Sequence, residues 1–402
     1  MSHRVRILHL RTSNFVGGPE RQLLRSGDYE REGPLELIFG TLIDESEGRE
    51  FAGAVQEAGL KLLRLPAGTI GDIGALSSLV GYIRAHSIAL ICTHGYQADI
   101  LGTLAGLRCC IPIAWFLRGW TGEDWKVRLY EKLDRTLMPL ATRVVCLSNT
   151  QADQLASRRG VARNIRVVHN AVEVRSISDE GRRELRLRLR MRLGLPNESH
   201  IVATAGRLSP EKGTAYFLQA IPMIAKCCPM AHFVIFGSGP LKAQLEETAQ
   251  RLGLGLSVRF AGFVPDFTEL LPGVDVMVNP SLSEVMPNVV LESMAVGVPV
   301  VATNVGGVAE IAGPDEAIAL VPPAEPSAMA RVVSDLLHDP DRIAELGRAG
   351  QLRVRGAFSP TSQQTQLRAL YQELVPDLAR EIGVLQQLAA PSRAPQPAPQ
   401  NT

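Results

Sequence analysis

Short apolar, β-branched runs alternate with helix-compatible segments along almost the whole chain, and few folds accommodate that alternation. In the first half the strands are expected at Val5–Leu10, Glu36–Thr41, Leu60–Leu65, Ile88–Thr93, Pro112–Leu117, Arg143–Leu147 and Ile165–Val168. In the second half they are expected at His200–Ala205, His232–Phe236, Val258–Ala261, Val274–Val278, Pro299–Ala302 and Ile318–Val321. Between them lie segments such as Leu241–Leu252, where Leu241, Leu245, Ala249 and Leu252 share one helical face. Two doubly wound, parallel α/β sheets in series follow. A length of 402 residues is also more than one core usually serves.

The bulk properties exclude other classes. With 46% apolar and 21% charged residues, the chain can build a folded core. No apolar run approaches the ~18 residues of a membrane span. Met1–Leu10 reads as a first strand rather than a secretory leader. The six cysteines, at 92, 109, 110, 146, 227 and 228, show no CxxC or Cys/His metal spacing. They read as reduced thiols in a cytoplasmic protein. Residues 1–195 carry 28 Lys and Arg against 21 Asp and Glu, whereas the remainder carries 14 against 20. A basic first half suits work at an anionic membrane surface, such as the inner face of the cell membrane.

The domain boundary is expected within Glu173–Pro196. That stretch contains an alternation of arginine and leucine over 182–193, read as a short helix entering the second domain. The division is therefore 1–180 and 181–358, with a C-terminal helix in 359–388 packing back across the hinge. The remaining 389–402 holds four prolines and is expected to be disordered.

Several loops carry chemistry. After the first strand, Gly17-Gly18-Pro19-Glu20 opens a helix, and adjacent glycines there let backbone approach a ligand. The spacing is not GxGxxG, which argues against a nicotinamide oxidoreductase. After His200–Ala205, a glycine-flanked loop carries Arg207 and Lys212, two cations suited to a diphosphate. Phe236–Pro240 is another strand-to-helix turn. Gly262 and Val264 follow a strand and can offer backbone groups to a nucleobase. Glu284 and Glu292 stand eight residues apart, with Pro287, Asn288 and Val289 at a helix start between them. Each carboxylate suits vicinal sugar hydroxyls, and free amides at the helix start suit phosphate. These groups point to a nucleotide sugar and to glycosyl transfer.

Taken together, the segments resemble the retaining glycosyltransferases of glycosyltransferase family 4, which have the GT-B fold. The similarity runs from Gly17 to Ser359 and includes Val168–Glu173, the Arg207/Lys212 segment, the Glu284/Glu292 pair and Val305–Glu310. It implies two Rossmann-like domains facing a central cleft, with the acceptor on the first and the nucleotide sugar on the second. Arg207 and Lys212 would then bind the diphosphate, Glu284 the transferred sugar and Glu292 the ribose. Gly17 and Gly18 would close over the phosphates. His94, after another strand, matches a histidine of the family's active site. Arg118 stands where many relatives have a histidine, and becomes an acceptor-side group. Val285-Met286 replaces the common Gly-Phe, while Ala171 and Glu173 replace a frequent Gly and Asp.

The resemblance further implies front-face attack with retention. The partners are a nucleoside-diphosphate-sugar donor and a glycan or lipid-linked acceptor, with no nucleic acid. No metal or other cofactor is expected. A sugar-nucleotide epimerase of the same fold and a non-catalytic sugar-nucleotide binder are the alternatives.

Overall fold

The computed structural model describes residues 4–11, 16–31, 33–43, 50–66, 73–119, 125–157, 162–265, 267–376 and 378. The expected tail at 389–402 lies outside the described residues. The strands are β1 (Val5–Arg11), β2 (Leu35–Ile43), β3 (Lys61–Pro66), β4 (Ile88–His94), β5 (Ile113–Leu117), β6 (Arg143–Cys146) and β7 (Ile165–Val167). They continue with β8 (His200–Ala205), β9 (Ala231–Phe236), β10 (Val258–Gly262), β11 (Val276–Asn279), β12 (Val300–Thr303) and β13 (Ala319–Val321). One sheet has the order β3-β2-β1-β4-β5-β6-β7 and the other β10-β9-β8-β11-β12-β13. Pairing is parallel, with His9 opposite Phe39 and Cys92 in the first sheet and His200 opposite Ala231 in the second. Both orders reverse direction beside their first strand, which is the doubly wound arrangement.

The chain divides into two compact units. The first holds 1–115, 140–142 and 367–402; the second holds 116–139 and 143–366. In the first, Leu8, Leu10, Ile38 and Ile91 form a core with Leu79 and Ile83 of the helix Ile73–Ala85. In the second, successive residues of each strand serve opposite faces, as strand geometry requires. Ile201, Ala203 and Val234 pack on one side with Leu291 and Met294. Val202, Phe233 and Ile235 pack on the other with Phe217, Leu218 and Met329. Burial on both faces explains why these strands read as continuous apolar runs.

The arginine–leucine stretch is a helix, Asp179–Leu193. Ser178 caps its start by accepting from Gly181 N, and Gly194, at φ +59°, ends it. Arg182, Arg186 and Arg190, four residues apart, turn inward: Arg182 donates to Val296 O, and Arg186 and Arg190 pair with Asp275. The Arg190–Asp275 pair is buried, with 4% exposure for each side chain. Arg183, Leu187, Arg188, Met191 and Arg192 face outward. The arginines therefore split into an anchoring stripe and a solvated one.

The last described helix is Pro360–Leu374. Its end, from Leu367 onward, belongs to the first unit, where Arg368 makes two hydrogen bonds to the buried Glu30 carboxylate at 2.7 and 3.2 Å. None of the described helices is long and apolar enough to cross a membrane. The cysteines are free; burial pushes the Cys146 thiol up to about 12 and Cys92 higher still.

Candidate functional site

Strand β8 ends in the loop that carries Arg207, which is exposed, and then in a single helical turn, Pro210–Lys212. Gly213 follows at φ +62°, and a Cβ there would lie 2.0 Å from Pro280 O, so only glycine lets the two loops meet. Their backbones are stitched together: Leu282 N donates to Glu211 O at 2.8 Å, and Ser283 N reaches the same oxygen at 3.4 Å. This juxtaposition brings Lys212 Nζ to 2.8 Å from Glu284 Oε1. The Ser281 hydroxyl donates to the same oxygen at 2.7 Å. Glu284 is 7% exposed and Lys212 29%, a pair half-withdrawn from water.

The Glu284 loop rests on a second glycine pair. Gly306, at φ +52°, would place a Cβ 1.7 Å from Glu284 O, and Gly307 would place one 2.2 Å from Val285 O. Beneath it, the Thr303 hydroxyl donates to the Ser281 carbonyl. The loop conformation is thus fixed from both sides before any ligand arrives.

After the loop comes the helix Asn288–Ala295, with Pro287 as its N-cap rather than within its first turn. No side chain caps this terminus, so its first amides remain available to an anion. Asn170 Nδ2 donates to Asn288 Oδ1 at 2.9 Å and to Met286 O at 3.3 Å, holding the helix start. Glu292 stands one turn further on, half-buried, on the face it shares with Asn288. Val289 lies between them, partly buried against the core. Gly262 closes β10 at φ +69°, with open space where a Cβ would be, and Val264 packs against the core beyond it. Lys212, Glu284, Asn288, Glu292 and Gly262 therefore gather at the carboxyl ends of β8, β10 and β11. A doubly wound sheet binds ligands at that edge.

Arg118 follows β5, and the next residue, Gly119 at φ +101°, would place a Cβ 3.1 Å from Val285 Cγ2. The Arg118 segment thus abuts the residue that replaces the family's usual glycine. The rest of that motif, 120–123, lies outside the described residues. The Glu310 carboxylate joins three further groups of the second unit: His169 Nε2 at 2.6 Å, and Asn149 through its amide N at 2.8 Å and its side chain at 2.6 Å. The sequence also holds one Asp-x-Asp, Asp339-Pro340-Asp341. Asp339 is spent as a helix cap, accepting from Arg342 N at 2.9 Å. Among the described residues no cluster of three His, Cys, Asp or Glu could hold a metal.

In the first unit, Gly17 is the N-cap of the helix Gly18–Tyr29, and its N–H donates to Glu20 Oε2 at 2.9 Å. Glu20 is fully buried and paired with Arg11. His94 ends β4, immediately before Gly95 at φ +103°.

Two family profiles match the chain: Glycosyl transferase 4-like domain over residues 3–171, and Glycosyl transferases group 1 over 199–339. The two matched stretches are glycosyl transferase domains of these families. The chain is 30% identical over 227 residues to a 2-deoxystreptamine glucosyltransferase of Streptomyces kanamyceticus, covering 56% of this chain and 58% of that one. It is 28% identical over 248 residues to a UDP-Gal:alpha-D-GlcNAc-diphosphoundecaprenol alpha-1,3-galactosyltransferase of Escherichia coli, covering 59% and 63%. The chain thus spans about three fifths of the length of these curated relatives. Among solved structures it is similar to Anabaena HepE, crystallised with UDP and glucose, at a TM-score of 0.78. That match covers 92% of this chain and 99% of the other at 22% identity, and it bears on the fold, which is GT-B.

Two polar residues of the candidate site lie outside the motifs read along the chain. Ser281 bonds to Glu284 and Thr303 to the Ser281 carbonyl, and small polar residues leave little trace in a sequence. Gly306 and Gly307 lie within the Val305–Glu310 motif, where adjacent glycines before a short helix signal close backbone approach.

Proposed function

We propose that this protein is a retaining glycosyltransferase that moves a hexose-type sugar from a nucleoside-diphosphate sugar to an acceptor hydroxyl. The observation that carries the reading is the Lys212–Glu284–Ser281 cluster beside the uncapped start of the helix Asn288–Ala295. A cation and helix amides there suit a diphosphate, while a carboxylate held by two donors suits sugar hydroxyls. Arg207 adds positive charge at the same sheet edge, and Glu292 serves the ribose. Backbone groups at Gly262 and Val264 serve the base.

In the reaction, the acceptor oxygen forms its bond to the anomeric carbon on the face from which the diphosphate departs. The bond from that carbon to the phosphate oxygen breaks, and the acceptor's proton passes to the departing phosphate. Lys212, Arg207 and the helix amides stabilise the growing negative charge, which is electrostatic catalysis. The protein's own cations supply this counter-charge, so no metal is assigned a role. The relatives' names, a 2-deoxystreptamine glucosyltransferase and a diphosphoundecaprenol galactosyltransferase, support a hexosyl donor, and the second supports an acceptor in polysaccharide or glycolipid synthesis. The basic first half favours a lipid-linked or envelope acceptor met at an anionic cytoplasmic membrane face.

The test is a thermal-shift panel of UDP, GDP, ADP and their hexose conjugates, with Lys212→Ala and Glu292→Ala beside the wild type. Stabilisation by one nucleoside diphosphate, lost in both variants, is expected. No shift with any of them overturns the reading.

A further inference from the structure

Beneath the Glu284 loop lies a side-chain amide whose donor the loop's hydrogen bonds leave unused. Asn279 ends β11, two residues before Ser281, and is 4% exposed; Ser281 is 1% exposed. Asn279 Nδ2 is fully buried, and among the described residues nothing accepts from it. The other end of the same amide faces Ser281, with Oδ1 3.3 Å from the hydroxyl oxygen. That hydroxyl also lies 2.7 Å from Glu284 Oε1, which Lys212 Nζ approaches to 2.8 Å. The Thr303 hydroxyl is directed at the carbonyls of Asn279, at 3.3 Å, and of Ser281, so both backbones are held against the end of β12. All of these residues belong to the second unit.

Proton counting decides which way the amide faces. Ser281 has a single hydroxyl proton, with both the Asn279 amide and the Glu284 carboxylate in reach. A charged carboxylate at 2.7 Å is the stronger acceptor, so the proton lies on the Glu284 side. An amide oxygen facing Ser281 would then meet a lone pair of the hydroxyl, while the buried N–H groups of Nδ2 went without acceptors. The two ends of an asparagine amide have nearly the same shape, and turning the amide over exchanges them. The nitrogen then faces the hydroxyl oxygen and donates to it. The displaced amide oxygen takes the buried place, where an unfilled acceptor is tolerated better than an orphaned N–H.

We propose that Asn279 is a positioning residue for Glu284: its Nδ2–H donates to Ser281 Oγ and so directs the Ser281 proton onto Glu284 Oε1. This rests on the reading of Glu284 as the group that meets the transferred sugar. With a lone pair engaged by the amide, the hydroxyl cannot turn away from the carboxylate, and donors in series strengthen one another. Ser281 and Lys212 then hold Oε1 together and set the plane of the carboxylate. A sugar hydroxyl reads that plane, so Asn279 acts on the sugar and not on the nucleoside diphosphate.

Neutron diffraction from crystals of the perdeuterated full chain shows the deuterons directly and needs no ligand. Deuterons on the Asn279 atom that faces Ser281, and a Ser281 deuteron pointing at Glu284, are expected. An amide oxygen facing Ser281, or a Ser281 deuteron pointing at Asn279, overturns the proposal. Calorimetric titration tests the consequence, with UDP, GDP and ADP and with the glucose and galactose conjugates of each. Asn279→Asp, close in shape but without the donor, should bind the nucleoside diphosphate as the wild type does and its hexose conjugate roughly 10-fold more weakly. Ser281→Ala should lose as much, and the double variant no more than either. Where the aspartate prevents folding, Asn279→Ala, which also lacks the donor, takes its place. Unchanged conjugate affinity in the folded variant overturns the positioning role, as does a weakening shared equally by the nucleoside diphosphate. If no nucleotide binds the wild type, the glycosyltransferase reading fails by itself, and the deuteron positions still decide whether Asn279 holds Ser281 against Glu284.

Discussion

Glu284 Oε1 accepts from Lys212 Nζ at 2.8 Å and from Ser281 Oγ at 2.7 Å, so one carboxylate oxygen is held by a cation and a hydroxyl. Among the described residues no hydrogen bond holds the other oxygen. Lys212→Ala and Glu284→Ala are each expected to lower kcat/KM for sugar transfer by roughly 10²–10³, the size of effect seen when a charge-stabilising group is lost. Far-UV circular dichroism should show both variants folded. Wild-type rates from both would remove these residues from the mechanism.

Ser281→Ala removes one of the two donors to Glu284 while leaving the lysine. A hydrogen bond to a charged group contributes about 1.5–3 kcal/mol. Transfer should therefore fall roughly 10- to 100-fold, and Ser281→Thr should recover part of it. A rate equal to wild type in Ser281→Ala would mean that Lys212 alone orients the carboxylate.

Gly306→Ala pushes a Cβ to 1.7 Å from Glu284 O at φ +52°, whereas Gly262→Ala, at φ +69°, meets nothing within 4 Å. The first adds a backbone clash to the left-handed penalty and should cost at least about 1–3 kcal/mol more than the second. Urea denaturation of both variants measures the difference. Equal midpoints would show that the Glu284 loop shifts freely.

Burial alone raises the Glu310 pKa, but hydrogen bonds from His169 and Asn149 outweigh it and leave the group below its ordinary 4.5. A depressed carboxylate contributes stability that is present above its unfolded value and lost as pH falls through the folded one. Glu310→Gln should therefore lose roughly 1–2 kcal/mol at pH 7. Its deficit should shrink as pH drops below about 4.5, where the carboxylate of the unfolded chain takes up its proton, and vanish once the folded carboxylate is protonated at still lower pH. A deficit that stays constant from pH 7 to pH 3.5 would refute the linkage.

Among the helical arginines, Arg190→Met leaves Asp275 buried with Arg186 as its remaining ion-pair partner, and should cost about 3–5 kcal/mol. Arg188→Ser, on the exposed face, should change stability by no more than about 0.5 kcal/mol. Thermal melts of the two variants separate the anchoring stripe from the solvated one.

The strand positions could be read from the sequence because each buried parallel strand is a local apolar run, and the observed ends lie within one or two residues of the expected ones. Helical placement of 179–193 followed from local propensity, but its inward stripe did not: six arginines look alike until Asp275 and Val296 select three of them. The Glu284 loop, Lys212 and the helix start at Asn288 were legible through glycines and charges of recognisable spacing.

By itself the sequence determined two parallel sheets, the loops at their carboxyl ends and the charged residues those loops carry, since all of these depend on neighbours within a few positions. Only the tertiary structure decided which of them touch. Lys212 meets Glu284 across 72 positions, and Tyr371 meets His9 across 362. Such contacts are set by how sheets and helices pack, and a hydrogen bond between two distant polar groups imposes no periodicity on the chain around either one.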